Sequence, residues 1–178
     1  MLTLILGGAR SGKSRLAQRL AARGERVCYI ATAQPGDDVE MLSRIERHRA
    51  HRPASWRTIE EPLALADAVD RAARDADAVL VDCLTVWLSN LSWNYRDREP
   101  AFLEDLVRSE IARIASLGNS SHIILVSNEV GCATVPESAV ARAFRDAQGL
   151  LNQRAAEAAD EVILVVAGLP LHLKGAAQ

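Results

Sequence analysis

The stretch GGARSGKS, residues 7–14, contains the most specific chemical motif in the sequence. It fits the pattern G-x-x-x-x-G-K-[ST], in which Gly7 and Gly12 bound a loop that Lys13 and Ser14 close. Glycines let backbone N–H groups turn toward phosphate oxygens, and the positive end of the following helix dipole favours the same anion. The lysine is expected to reach the β- and γ-phosphates and the serine hydroxyl to bind Mg²⁺. The sequence therefore predicts a nucleoside triphosphate site.

An acidic residue, Asp82, ends the apolar run AVLVD at 78–82. An acid at the end of a strand beside a phosphate-binding loop commonly holds Mg²⁺ through water. The alternative is that Asp82 caps the helix that follows it. Ser14 and Asp82 are thus the predicted metal-site residues, and Mg²⁺ is expected to accompany GTP or ATP as substrates.

Positive charge and imidazole are concentrated in RIERHRAHRP, residues 44–53, which has four arginines and two histidines. On a helix, Arg44 and Arg52 would each lie four residues from His48, close enough to clamp a phosphate around it. Nearby positive charge disfavours the protonated imidazole, so His48 would be a free base able to attack phosphorus and carry a covalent intermediate. A solvated basic face is the alternative. The residues alone permit a nucleotidyl-histidine but do not require one.

Strands and helices alternate along the chain, and they must position these groups. Apolar runs predict strands at 2–6, 26–32, 78–85, 122–131 and 161–168, with shorter strands at 56–60 and 171–174. Helical patterns fall at 13–23, 38–50, 63–75, 101–117 and 137–159, and the polar stretch 89–100 is expected to be a surface loop. Such continuously apolar strands are typical of a parallel sheet covered by helices on both faces. The predicted fold class is α/β, in one domain spanning residues 1–178.

Composition argues against several classes of protein. A net charge of −2 in 178 residues is unlike that of a general nucleic-acid binder, and no apolar segment approaches the length of a membrane span. Cys28, Cys83 and Cys132 are odd in number and far apart, which is typical of a reducing compartment rather than of a disulfide framework. The sequence predicts a soluble, cytoplasmic protein that binds small anionic ligands and no nucleic acid.

Several segments together resemble one known family: GGARSGKSR, YIATAQ, RIERHRAHRPASWRTIE, VDCLTVWLSNL, VSNEVG with VPE, and FRDAQGLLNQR. This is the family of bifunctional adenosylcobinamide kinase/adenosylcobinamide-phosphate guanylyltransferases of cobalamin biosynthesis, and the resemblance covers nearly the whole chain. It implies a RecA-like P-loop NTPase fold with a mostly parallel central sheet. It also implies two reactions. A nucleoside triphosphate phosphorylates the aminopropanol hydroxyl of adenosylcobinamide, and GMP then passes from GTP, through a guanylyl-histidine, to adenosylcobinamide phosphate, giving adenosylcobinamide-GDP and pyrophosphate.

The resemblance also implies which residues act. The family's nucleophile falls in the pattern H-R-x-x-R-P, which here is His48 followed by Arg49, Arg52 and Pro53. Nucleotide contacts are implied at Gly7, Gly8, Ala9, Arg10, Ser11, Gly12, Lys13, Ser14, Ala31, Thr32, Ala33, Arg49, Ala50, His51, Arg52, Glu60 and Asp82. Arg47 stands where some relatives have a second adjacent histidine, so His48 is the candidate in register and His51 the reserve. Relatives are similar in forming trimers, so a homotrimer is expected.

Two other functions remain open on the residues alone. One is a P-loop kinase of a small hydroxyl-bearing metabolite, with the histidine stretch as a phosphate lid and no covalent intermediate. The other is a nucleotide-dependent switch that transfers nothing, although the chain has no N-K-x-D signal of the GTPase type. Asp82 is glutamate in some relatives, which leaves its role as metal holder or base open. Trp56, Trp87 and Trp93 are expected to be core or subunit-contact residues rather than a platform for the acceptor.

Overall fold

The computed structural model describes residues 1–34, 46, 52–132 and 134–175, which form seven strands and five α-helices. The strands are β1 (Leu2–Gly7), β2 (Val27–Ala31), β3 (Arg57–Glu60), β4 (Ala78–Asp82), β5 (His122–Asn128), β6 (Glu161–Val166) and β7 (Leu169–Lys174). The helices are α1 (Lys13–Ala21), α2 (Leu65–Ala73), α3 (Leu84–Asn94), α4 (Pro100–Ser116) and α5 (Ala139–Ala158), with a 3-10 turn at Leu117–Asn119. None of these helices is long and apolar enough to cross a membrane. The helix predicted over 38–50 lies outside the described residues, apart from Glu46.

One sheet contains all seven strands, in the order β3-β2-β4-β5-β1-β6-β7. Strands β1 to β6 are parallel, and β7 pairs antiparallel with β6 at one edge. The turn between β6 and β7 passes through Ala167 and Gly168, whose φ angles are 51° and 83°. Two consecutive positive φ angles let a hairpin reverse within two residues. The predictions of a mostly parallel sheet and of a carboxyl-terminal edge strand are confirmed.

Helices cover both faces of the sheet. Helix α1 packs on one face, against Ile5, Tyr29 and Leu80, whereas α2, α3, α4 and α5 pack on the other. Every residue of β1 and β2 is buried, because apolar side chains on both faces have a helix layer to pack against. The predicted α/β class is therefore confirmed. The sequence has continuous apolar runs because helices cover both faces of the sheet.

Helix α3 corrects the prediction for residues 83–94. The sequence predicts a strand as far as residue 85 and a surface loop from 89, but β4 ends at Asp82 and the chain is helical from Leu84 to Asn94. The buried residues of this helix have the i, i+3, i+4, i+7 spacing of one helix face: Leu84, Trp87, Leu88 and Leu91. Polar residues between them give the stretch the composition of a loop. Burial of the apolar face outweighs that composition, and it places Trp87 in the core as predicted.

Candidate active site

Predicted site residues gather at the carboxyl edge of the parallel strands. Strand register places Ala31 beside both Glu60 and Asp82, the last residues of β3 and β4. At the same edge, Gly7 at the end of β1 pairs with Asn128 at the end of β5. Parallel sheets bind ligands at this edge because loops and helix N-termini converge there. The sheet thus brings together segments that are far apart in the sequence.

The glycine-rich loop connects β1 to the N-terminus of α1, which is the structural context that the motif predicts. The N–H of Ser11 donates to the carbonyl of Gly8 (3.3 Å), and the N–H of Leu16 donates to that of Gly12 (3.0 Å). Gly12 is the N-cap residue of α1 and has a φ of 96°, a left-handed conformation that glycine adopts readily. No side chain caps α1, and its first turn has no acidic residue. Its first N–H groups can therefore bind an anion.

Neighbouring backbone holds this loop from both flanks. A Cβ at Gly7 would collide with the Ser11 side chain and would lie 2.8 Å from the Val165 carbonyl oxygen. The N–H of Gly168, in the β6–β7 turn, donates to the Ser11 carbonyl (2.8 Å). On the other flank, the N–H of Glu129 donates to the Gly7 carbonyl (3.2 Å). The loop is therefore preorganised by its surroundings as well as by its own glycines.

Lys13 and Ser14 begin α1, and both are half-buried. Lys13 Nζ donates to the Gly8 carbonyl (3.2 Å), so the ammonium group lies over the loop. Burial lowers the pKa of Lys13, while Cys83 and Asp82 act in the opposite direction. The lysine ammonium and the Asp82 carboxylate are therefore close enough to interact across the carboxyl edge.

Asp82 is held by Tyr29, a residue to which the sequence analysis assigns no role. Tyr29 is 1% exposed, and its hydroxyl donates to Asp82 Oδ2 (2.9 Å). Burial raises the pKa of Tyr29 and the Asp82 carboxylate raises it further, so the hydroxyl keeps the proton that it donates. The Arg52 guanidinium lies 3.6 Å from the centre of the same ring, in cation–π contact. One tyrosine therefore links the end of β4 to the end of the histidine–arginine stretch.

Strand alternation is the signal that could identify Tyr29. Tyr29 pairs in register with Leu80, and Asp82 follows two residues later on the same face of β4. Diagonal neighbours on one face of a sheet are within reach of an aromatic side chain. The sequence shows the alternation of each strand but does not show that β2 lies next to β4, and without that adjacency the contact cannot be inferred.

Thr32 ties the end of β2 to the start of α3. Its Oγ1 donates to the Cys83 carbonyl (2.8 Å) and accepts from the Cys83 N–H (2.9 Å). The Thr32 carbonyl accepts from Asn90 Nδ2 (2.8 Å). Burial raises the pKa of the Cys83 thiol to about 11, so this cysteine is protonated at neutral pH. Thr32 is itself wholly buried, so its side chain shapes the edge of the site.

The remaining predicted contacts fall into three groups. Gly8, Ala9 and Arg10 are exposed on the loop. Ala33 lies just beyond β2 and Glu60 is the exposed last residue of β3, both at the carboxyl edge. His48, Arg49, Ala50 and His51 lie outside the described residues, so Arg52 is the predicted nucleotide contact of that stretch whose position is known.

A buried polar cluster supports the end of β5 beside the loop. Ser127 Oγ donates to Asn152 Oδ1 (2.7 Å), and Gln148 Nε2 donates to both oxygens (3.0 and 2.9 Å). Asn152 Nδ2 donates to the carbonyl of Asn128, which pairs with Gly7. Gln148 and Asn152 belong to the segment FRDAQGLLNQR, whose polar residues would otherwise be out of place in a buried helix face. The segment therefore positions backbone next to the phosphate-binding loop.

A strand, a glycine-rich loop, a helix N-terminus and an acid on a nearby strand define a P-loop NTPase. An ATPase from the type III secretion system of pathogenic bacteria has the same fold, with a TM-score of 0.60 and 12% sequence identity. The match covers 96% of this chain and 56% of that one. At this identity the likeness concerns the fold alone, and it confirms the predicted RecA-like P-loop architecture.

Sequence comparison assigns the chain to one family within the P-loop NTPase fold. The sequence model described as "Cobinamide kinase / cobinamide phosphate guanyltransferase" matches residues 3–173. The chain is 51% identical over 176 residues to the bifunctional adenosylcobalamin biosynthesis protein CobP of Pseudomonas aeruginosa, across 98% of each chain. It is 41% identical over 182 residues to the bifunctional protein CobU of Escherichia coli, across 98% of this chain and 100% of that one. The chain belongs to this family, as the resemblance predicts.

Proposed function

We propose that the chain phosphorylates adenosylcobinamide and then transfers GMP to the product through a covalent intermediate on His48. Family membership makes it a cobinamide kinase and cobinamide-phosphate guanylyltransferase, which overturns the alternatives of a non-transferring switch and of a kinase alone. The guanylyl-histidine intermediate is the part of the proposal that goes beyond family membership. The observation that carries it is the stacking of Arg52 on Tyr29, beside Asp82.

Arg52 limits how far His48 can lie from Tyr29 and Asp82. Its contact with Tyr29 places it next to Asp82, which interacts with Lys13. Arg52 is four positions after His48, and an extended chain gains at most about 3.6 Å per residue, so the two Cα atoms lie within about 14 Å whatever the path between them. We infer that His48 reaches a nucleotide bound by the loop, and the position of Arg52 beside Tyr29 and Asp82 supports this inference.

The kinase step uses the loop and Lys13. The acceptor hydroxyl oxygen attacks the γ-phosphorus, the bond from that phosphorus to the oxygen bridging it to the β-phosphate breaks, and the nucleoside diphosphate leaves. Loop N–H groups and the Lys13 ammonium stabilise the charge that develops on the leaving group. Preorganisation by the Gly168 and Glu129 contacts lets these donors act without reorganising during the reaction.

The transfer step adds an imidazole nucleophile. A ring nitrogen of His48 attacks the α-phosphorus of GTP, and pyrophosphate leaves. A phosphate oxygen of adenosylcobinamide phosphate then attacks the same phosphorus, and the imidazole leaves, giving adenosylcobinamide-GDP. Arg52, held over Tyr29, is positioned to neutralise phosphate charge in both half-reactions. Arg49, Ala50 and His51 are proposed nucleotide contacts on the same stretch.

The carboxyl edge has the donors that Mg²⁺ prefers. The Ser14 hydroxyl and the Asp82 carboxylate supply hard oxygen ligands, and the Tyr29 hydroxyl fixes the carboxylate orientation. We propose that Ser14 and Asp82 hold the ion together with GTP or ATP. When bound, it neutralises phosphate charge and polarises the reacting phosphoryl group.

Strand β7 has a surface suited to self-association. Leu169, Leu171 and Leu173 alternate along this edge strand and are 72%, 56% and 56% exposed. Residues two apart share one face of a strand, so Leu169 and Leu171 form an apolar stripe on a sheet edge, and exposed Leu173 extends it at the register shift opposite Val162 and Ile163. We propose that the chain is a single domain over residues 1–178, is located in the cytoplasm and forms a homotrimer. The contact between subunits of the trimer buries this stripe. Light scattering of the wild type and of Leu171→Asp tests it, and a monomeric wild type would rule the assembly out.

Two histidine substitutions test the covalent step. His48→Ala is expected to abolish transfer of GMP to adenosylcobinamide phosphate and to leave phosphorylation of adenosylcobinamide, because only transfer uses the imidazole as nucleophile. His51→Ala is the matched comparison: it is expected to weaken nucleotide binding but to keep transfer of GMP, because the nucleophile at His48 is still present. The two reactions are assayed separately, each with its own acceptor. Retained transfer in His48→Ala, or loss of both reactions with unchanged thermal unfolding, would show the proposal to be wrong.

A further inference from the structure

A cleft of about 280 Å³ opens next to the nucleotide site. Its lining residues are Gln34, Leu63, Ser89, Asn90, Trp93 and Asn94. Gln34 and Leu63 follow β2 and β3 at the carboxyl edge of the sheet, and the other four belong to the last two turns of α3. The cleft therefore lies on the edge of the sheet that carries Asp82 and the phosphate-binding loop.

The described side chains of the lining are uncharged and rich in amides. Among the lining residues that the structure describes, none of the six side chains is charged. Within the described part of the chain, the side chains of Gln34, Ser89 and Asn94 have no hydrogen-bond partner, so they can pair with a ligand. Carboxamide side chains both donate and accept hydrogen bonds. The side chains that line the cleft thus match a neutral ligand that itself carries amides.

Trp93 adds an apolar wall; of the two positions expected for it, core or subunit contact, its exposure excludes the core. Trp93 is 73% exposed, in contrast to Trp87 six residues earlier on α3, which is wholly buried. The Arg96 guanidinium lies 4.8 Å from the centre of the Trp93 ring, on the solvent-exposed end of α3. An exposed indole at the rim of a polar cleft is a frequent feature of surfaces that bind a large ligand.

The floor of the cleft is rigid and connected to the reacting groups. Asn90 Nδ2 donates to the carbonyls of Thr32 (2.8 Å) and Pro62 (3.2 Å), which fixes α3 against the ends of β2 and β3. Trp87 Nε1 donates to the Leu63 carbonyl (2.8 Å). Thr32 in turn bonds both backbone groups of Cys83, the residue after Asp82. The cleft is thus connected through Asn90, Thr32 and Cys83 to Asp82, the acidic residue of the nucleotide site.

We propose that this cleft binds the carboxamide-bearing edge of the corrinoid acceptor, against Trp93 and the side chains of Gln34, Ser89 and Asn94. The proposal rests on the acceptor being the cobinamide of the proposed function. A corrin macrocycle is far larger than the cleft, so only one edge with its amide arms enters it, and the rest of the ring remains over the open site. This arrangement leaves the aminopropanol arm free to extend toward the triphosphate.

Three substitutions test the cleft. Trp93→Ala removes the apolar wall, Asn94→Leu removes one amide, and Ser89→Trp fills the cleft from an exposed position. Asn119→Leu is the matched control, because Asn119 is an exposed asparagine near the opposite, amino edge of the sheet. Equilibrium dialysis of adenosylcobinamide, detected by the visible absorption of the corrin, measures the Kd. Each cleft variant is expected to raise that Kd by about tenfold or more, and the control to leave it unchanged.

Readouts without the acceptor separate this proposal from the covalent step. All four variants are expected to acquire guanylate from GTP like the wild type when no corrinoid is present. The cleft proposal is overturned if Trp93→Ala and Ser89→Trp both keep the wild-type Kd. A change in oligomeric mass by light scattering with an unchanged Kd would also overturn it, since the cleft would then be a subunit contact. A wild type that never acquires guanylate would contradict only the histidine intermediate.

Discussion

The two sides of the nucleotide site are built in different ways. The phosphate side, residues 7–14, is one continuous stretch whose backbone N–H groups and helix N-terminus form the anion site. The side-chain side consists of Tyr29, Arg52 and Asp82, which come from three separate segments; a hydrogen bond joins Tyr29 to Asp82, and a cation–π contact joins it to Arg52. The continuous side supplies what both reactions share, a bound triphosphate. The assembled side joins Asp82, at the end of β4, to the stretch that we propose for guanylyl transfer.

The largest expected effect is on the phosphate side. Lys13→Ala removes the cation over the loop, so the kinase and the transferase activities are both expected to fall by on the order of 10²–10³-fold. Steady-state assays with each acceptor measure the two values of kcat/KM. A loss confined to one reaction would mean that the two reactions do not share this triphosphate site.

Substitutions of Tyr29 separate its hydrogen bond to Asp82 from its cation–π contact with Arg52. Tyr29→Phe keeps the ring under Arg52 but removes the hydrogen bond to Asp82, so both activities are expected to fall together by about tenfold. Tyr29→Leu also removes the ring, and we expect a further loss confined to guanylyl transfer, because Arg52 is then no longer positioned. The measured quantity is the ratio of the two activities, with thermal unfolding as a check on the fold. An unchanged ratio in Tyr29→Leu would contradict the assigned role of Arg52.

Alanine substitutions at two glycines compare a position with a left-handed backbone and a close neighbour with a helical position that has free space around it. Gly12→Ala forces a φ of 96° on alanine and brings its Cβ to 3.2 Å from Gly168 Cα, so we expect a loss of about 1–2 kcal/mol in the free energy of unfolding. Gly149→Ala, in the interior of α5 with no neighbouring atom within 4 Å, is the control and is expected to gain about 0.5–1 kcal/mol. Urea denaturation measures both. Equal effects would mean that the loop conformation is not constrained as described.

A smaller effect is expected in proton linkage. Burial lowers the pKa of Lys13 in the free protein, whereas a bound phosphate favours the ammonium form. Nucleotide binding is therefore expected to take up a proton at alkaline pH, and affinity to fall as the pH rises through the lowered pKa. At neutral pH the amine is already charged and the uptake vanishes. Calorimetry in buffers of different ionisation enthalpy measures the uptake, and Lys13→Met is expected to lose it.

The contrast between the two sides also explains which parts of the molecule could be predicted. The phosphate-binding loop depends on local rules of glycine, lysine and helix N-terminus, so residues 7–14 identify it without knowledge of the fold. Alternation of apolar runs likewise predicts the α/β class. Helix α3 is harder to predict, because the polar residues Ser89, Asn90 and Asn94 give it the composition of a loop. The helical spacing of its buried apolar residues is nevertheless visible in the sequence. Tyr29 could not be assigned because its role depends on the strand order, which the sequence does not show.

The most direct measurement of the central claim is the mass of the intact protein after incubation with GTP and Mg²⁺, in the absence of corrinoid. The account predicts one guanylate per chain, acid-labile, mapped to His48 by peptide sequencing, present in His51→Ala and absent in His48→Ala. A wild type that stays unmodified, or a guanylate that persists in His48→Ala, would contradict it.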